Sequence, residues 1–239
     1  MADIRTIKAP FFEIGPKSYL YGQDIRDLAV YADEAAKKYD VDIIFTTPIV
    51  EIANVKRLTS RIHVFAPHMD PLYPGRGLAD ILPESLVAAG AEGVMLNHAE
   101  KPLSFPVLEE TIKRAREVGL KTIVCADSSA EAARIAQLAP DIIVAEPTEL
   151  IGTGITVGPQ YVKAAVSAVH DVNPDIMVLV AAGISNGEDV YNLMVYGSDA
   201  TGTSSAVCKA ADRKAMVEEM ISAVRRGWDD FHQQQEVHK

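Results

Sequence analysis

Residues 121–145 read KTIVCADSSAEAARIAQLAPDIIVA, and this stretch decides the fold. Its two ends, 122–125 and 142–145, are short runs dominated by β-branched residues. Between them, 130–138 carries apolar residues at helical spacing. A strand, a helix and a second strand in so short a span form a βαβ unit, whose crossover makes the two strands parallel neighbours.

The same alternation extends in both directions. Strands are predicted at 11–14, 42–45, 62–66, 93–96, 176–180 and 200–203 as well. Helices are predicted at 24–39, 83–89, 108–118, 159–172, 188–196 and 213–228, and the weakest at 49–57. Eight strands in 239 residues allow about 30 residues per unit, the size of a strand with its crossover helix. Eight such units favour closure into a single α/β domain, a (β/α)8 TIM barrel spanning 1–239, with 232–239 expected as a frayed polar tail. The competing open, doubly wound sheet lacks its usual mark. No glycine-rich dinucleotide fingerprint follows the first strand, where the chain reads Ile14-Gly15-Pro16-Lys17.

Composition narrows the function classes. The 23 Lys and Arg are outnumbered by 33 Asp and Glu, giving a formal charge of −10, and no basic stripe could follow a phosphate backbone; nucleic acid is not an expected partner. An apolar content of 48% suits a packed core, yet no run reaches the ~18 residues of a membrane span. Cys125 and Cys208 are too few for a disulfide framework, and the first residues, MADIRTIKAP, lack the apolar segment of a secretory signal. A cytoplasmic location is the resulting expectation.

Barrel active sites are built from the loops after the strands. The polar residues that follow the strands here are Lys17, then Asn97-His98-Ala99-Glu100, Glu146, Gly183-Ile184-Ser185-Asn186-Gly187 and Ser204-Ser205. Taken singly, Lys17 also reads as a solvated charge and His98 as a structural histidine. Glu146 is more informative, because it ends an apolar strand where partial desolvation raises carboxylate basicity. The glycine-containing turns after the seventh and eighth strands suit an anion, since backbone N–H groups and a helix N-terminus point there. Residues 146–154, bounded by Pro147 and by Gly152 and Gly154, read as a hinged lid that would exclude water from a reactive intermediate.

Together the motifs 96–100 (LNHAE), 145–154 (AEPTELIGTG) and 182–190 (AGISNGEDV) resemble the triosephosphate isomerase family, most closely its short archaeal-type branch, nearly end to end. The resemblance implies an aldose–ketose isomerase of a small sugar phosphate, working through an enediolate, with no cofactor and no metal. It implies Glu146 as the carbon base, His98 as the electrophile, Lys17 as the cation near the phosphate and oxyanion, and Glu100 as a supporting carboxylate. Gly152, Ser185, Ser204 and Ser205 fall where the family presents phosphate donors. For that family a glutamate base and a histidine kept neutral form the known division of pKa values. The resemblance also implies a homodimer or homotetramer.

Three positions depart from the family. Gly15 stands where an asparagine is usual, Ala99 where a serine follows the electrophilic histidine, and Leu78-Ala79 where the third loop usually carries Thr-Gly. In the family these positions meet, because the third loop of one subunit completes the site of its neighbour, so a shift of preference away from a pure triose phosphate is expected, with Asn97 as a substitute amide. Two other readings stay open: a non-catalytic sugar-phosphate-binding barrel, and a barrel aldolase using Lys17 as a Schiff base.

Overall fold

The computed structural model describes residues 6–181 and 183–237. Eight parallel strands close into a barrel in chain order: β1 (Phe11–Ile14), β2 (Asp42–Thr46), β3 (His63–Ala66), β4 (Gly93–Leu96), β5 (Lys121–Ala126), β6 (Ile142–Ala145), β7 (Met177–Val180) and β8 (Ala200–Thr203). Closure is made by β1, whose Phe11 pairs with Asp42 on one side and Ala200 on the other. The expected (β/α)8 barrel is the observed fold.

The helices are α1 (Gln23–Tyr39), α2 (Ile52–Leu58, entered through a 3-10 turn at Ile49–Glu51), α3 (Pro83–Ala89), α4 (Phe105–Val118), α5 (Ser129–Ala136), α6 (Pro159–His170), α7 (Gly187–Val195), α8 (Ser205–Cys208) and α9 (Arg213–Val237). Two short pieces were not predicted, α8 and a 3-10 turn at Thr148–Leu150, because four residues or fewer carry no readable period.

Why the strands read as unbroken apolar runs is clear from their two faces. Phe11, Ile44, Phe65, Ile123, Ile142 and Leu179 fill the barrel interior, while Phe12, Ile14, Ile43, Phe45, Val124 and Val178 pack outward against the helices. A strand buried on both sides has no polar alternation to show. Ends are set by local chemistry. Ser128 caps α5 by accepting the Glu131 N–H, and α3 and α4 stop at Gly90 and Gly119 in left-handed conformation.

Residues 232–237 continue α9, while 238 and 239 lie outside the described residues. No Pro or Gly interrupts residues 228–237, and Gln and Glu are good helix formers. The helix is also held before that point, by buried Val217, Met220 and Val224 and by the Tyr191 hydroxyl donating to Asp230 at 2.8 Å. No helix among the described residues is long and apolar enough to cross a membrane.

Candidate active site

Loops at the carboxyl ends of the strands enclose a cavity of about 680 Å³. Lys17, His98, Glu100, Glu146, Gly152, Ser185, Ser204 and Ser205, separated by up to 188 residues in sequence, all line it. The floor is made by the uppermost inward side chains of the strands, including Glu13, Thr46, Cys125, Val144 and Ala181.

Lys17 is lifted into the cavity by a turn, in which Tyr19 N–H donates to the Pro16 carbonyl at 3.0 Å. Its own backbone is left-handed at φ 46°, an unusual state for a residue with a side chain. The ammonium donates to Glu100 Oε1 at 2.9 Å, and this partner holds the Glu100 carboxyl below the usual carboxylate range.

His98 has its tautomer set by the backbone. Glu100 N–H donates to His98 Nδ1 at 3.1 Å, so in the neutral ring the proton is on Nε2. Burial pulls the imidazole pKa down, the Lys17 charge pulls it further, and Glu100 opposes both. The loop is tied by Asn97, at φ 56°, which donates to the Cys125 carbonyl at 3.0 Å and accepts the Leu103 N–H at 3.0 Å. Asn97 is therefore committed to the loop, lies outside the cavity wall, and does not act as a substitute amide.

Glu146 follows β6 directly, and its N–H extends the ladder by donating to the Ala126 carbonyl at 3.0 Å. Burial raises its pKa; Lys17 opposes that rise and Glu100 adds to it. A glutamate whose pKa burial raises, a histidine whose pKa burial lowers and a lysine thus share one cavity.

The segment after Glu146 forms the cavity's outer edge. Gly152 and Gly154 have φ of 74° and 75°, and residues 152–155 are exposed. Its far end rests on Gly183, where a Cβ would fall 2.0 Å from the Ile155 carbonyl oxygen; the left-handed φ of 64° and this close approach both require glycine.

At the turn after β7 the backbone donors are largely engaged. Ser185 N–H and its hydroxyl both donate to Asp189 Oδ2, at 2.9 and 2.7 Å, Gly187 N–H donates to Glu219 at 2.7 Å, and Asn186 caps Glu188 and Asp189. The expectation of a freely exposed set of amides there is thus met only in part, because acidic neighbours occupy them. Ala182, the first residue of that motif, lies outside the described residues. Of the three departing positions, only Gly15 reaches the cavity; Leu78 and Ala99 are exposed and outside its wall. Within one chain the three do not form a common corner.

Sequence reasoning missed Glu13, Thr46, His68 and Lys209, all of which line the cavity. Lys209 was obscured because it follows the unpredicted α8; its ammonium lies 5.1 Å from the Tyr19 ring centroid. Glu13 had a readable signal, a lone carboxylate in an otherwise apolar strand. Among the described residues no cluster of three His, Cys, Asp or Glu could hold a metal ion.

Comparison with known proteins adds the following. The profile of the family described as Triosephosphate isomerase matches residues 16–223. A protein named Triosephosphate isomerase from Saccharolobus solfataricus is 34% identical over 224 residues, covering 92% of this chain and 98% of the relative. Proteins of the same name from Sulfurisphaera tokodaii and Methanosarcina mazei are 35% and 33% identical, each over 90% of this chain and over 95% and 99% of their own lengths.

Proposed function

Since the chain belongs to the triosephosphate isomerase family and is an isomerase of that kind, we propose that Glu146, His98 and Lys17 carry out an aldose–ketose isomerisation of a triose phosphate in the cavity described above. The observation that carries this reading is the convergence of the three groups with complementary proton states.

Glu146 takes the proton from the carbon beside the substrate carbonyl, which its raised basicity suits. His98 presents Nε2–H to the carbonyl oxygen and polarises it; because the ring is neutral, it can pass protons between the two adjacent oxygens of the enediolate. Lys17 offsets the negative charge that develops on those oxygens, and Glu100 fixes the ammonium from its outer side. Glu146 then returns its proton to the neighbouring carbon. The phosphate is held by Ser204 and Ser205 with Gly152 and Ser185 at the rim, and anion binding there would draw the Ser185 donors away from Asp189. Residues 146–154 act as the lid over the intermediate.

A base poised over a carbon is of no use to a protein that only binds, so the retained Glu146 favours the enzyme over a non-catalytic binding barrel. We place the enzyme in the cytoplasm and read it as a homodimer or homotetramer; the fully exposed Leu78 supports only the association. Light scattering of the purified protein tests the oligomer. Turnover of dihydroxyacetone phosphate by wild type and its loss in Glu146→Gln test the reaction.

A further inference from the structure

Glu13 is a buried carboxyl in the cavity that the reaction above does not use. It stands two residues beyond Phe11 on β1, at the position the alternation turns toward the barrel axis. It is 8% exposed, it lines the cavity, and its Oε1 is buried with no hydrogen-bond partner among the described residues. The hydroxyl of Thr46, also on the cavity floor, lies close enough to this carboxyl to lower its pKa. A buried carboxyl oxygen without a partner is costly to maintain, so its place on the wall of a ligand cavity points to a ligand that satisfies this carboxyl.

The neighbouring glycines make the space for it. A Cβ on residue 15 would lie 3.1 Å from Glu13 Oε1 and 3.4 Å from Ser204 Oγ. A Cβ on residue 202 would lie 2.8 Å from Glu13 Cβ and 3.2 Å from Oε2. The carboxyl therefore occupies the seam between β1 and β8, beside Ser204, where residue 15 contributes no side chain. The family profile begins its match at residue 16, so Glu13 and β1 precede the matched segment.

We propose that Glu13 is a specificity-determining residue whose carboxyl hydrogen-bonds an oxygen on the carbon chain of the bound sugar phosphate at the β1–β8 seam. The inference rests on the sugar-phosphate reading of this cavity. Burial pushes the Glu13 pKa up to about 7; the Thr46 hydroxyl opposes the rise, the Glu146 charge adds to it and Lys17 opposes it. Cys125 and Cys208 are the other titratable groups whose own ionisation Glu13 influences. A phosphate dianion at Ser204 acts in the same direction as burial, so the bound form is the acid and the contact is an O–H donated to the substrate.

Calorimetric titration with glycerol 3-phosphate and with inorganic phosphate, at pH 6 and pH 8.5, tests this on the full chain. For wild type, the ratio of glycerol 3-phosphate affinity to inorganic phosphate affinity should be higher at pH 6. Glu13→Ala should lose about tenfold in glycerol 3-phosphate affinity and nothing in inorganic phosphate affinity. Glu13→Gln keeps an N–H donor, so it should stay within about threefold of wild type and lose the pH dependence of the ratio. Wild-type affinity for glycerol 3-phosphate in a folded Glu13→Ala would overturn the proposal. If that variant does not fold, a Glu13→Gln that keeps the wild-type pH dependence overturns it instead. A wild type that binds neither ligand would overturn the sugar-phosphate reading, and this proposal with it.

Discussion

Replacing Lys17 with Met removes one charge that five other groups sense. The side chain keeps its length and its Cβ, so the cost of the left-handed backbone at residue 17 carries over unchanged. The broken pair with Glu100 is a partly exposed one, 24% and 65% for the two side chains, worth between about 0 and 1 kcal/mol; melting should barely move. The catalytic loss is larger, because a charge-assisted contact to an anionic substrate contributes roughly 1.5 to 3 kcal/mol, and kcat/KM should fall by about tenfold to a hundredfold. The pH profile should change as well. Lys17 opposes the burial-driven rise of the Glu146 pKa and lowers that of His98, so its removal lets both rise. Glu146 works as the carboxylate, and the acid limb of kcat/KM must therefore move to higher pH. Steady-state kinetics from pH 5 to 9 read both effects. A Lys17→Met enzyme with a tenfold loss but an unshifted acid limb would refute the electrostatic coupling, and wild-type kinetics would refute the role of Lys17 altogether.

Three further outcomes follow from the same geometry. Glu146→Gln keeps the shape and removes the base, so turnover should drop at least about 10²-fold while inorganic phosphate still binds in calorimetry. Glu13 binds its proton more tightly folded (about 7) than unfolded (4.5), so it favours the fold below pH 4.5 and that advantage is lost as pH rises through 7; wild type should lose up to about 3 kcal/mol relative to Glu13→Gln between pH 4 and 8 in urea unfolding. A wild-type-minus-variant difference that stays flat across that range would contradict the burial of a titrating Glu13. Gly183→Ala drives a Cβ into the Ile155 backbone at a left-handed position, and it should lower both the melting temperature and kcat/KM, the left-handed strain alone costing about 1–2 kcal/mol.

The barrel was legible because each strand is buried on both faces and so appears as an apolar run, and because the runs recur eight times. Lys17, His98, Glu146 and Ser204 could be anticipated from one rule, that polar residues just past the strands share a cavity. What escaped depended on distances between loops. Nothing local indicates that Ser185 spends both its donors on Asp189, or that Asn97 is used up fastening the loop that carries His98. The link between Gly15 and Glu13 is likewise invisible as spacing: it exists because the strand's pleat turns Glu13 inward beneath the position where residue 15 has no side chain. Leu78 and Ala99 face solvent in the single chain, as expected of positions that meet Gly15 only where the third loop of a neighbouring copy completes the site.

The most direct test of the account follows the fate of the carbon-bound proton. Dihydroxyacetone phosphate is incubated with the purified protein in D2O, and the aldose product and recovered ketose are examined by NMR. Transfer through Glu146, a carboxyl that exchanges its proton with solvent, predicts deuterium at the reacting carbon of the molecules that have turned over, and none when Glu146→Gln replaces wild type. Isomerisation that leaves the carbon fully protonated, or deuterium exchange that survives in Glu146→Gln, would contradict the assignment of Glu146 as the base on which the mechanism depends.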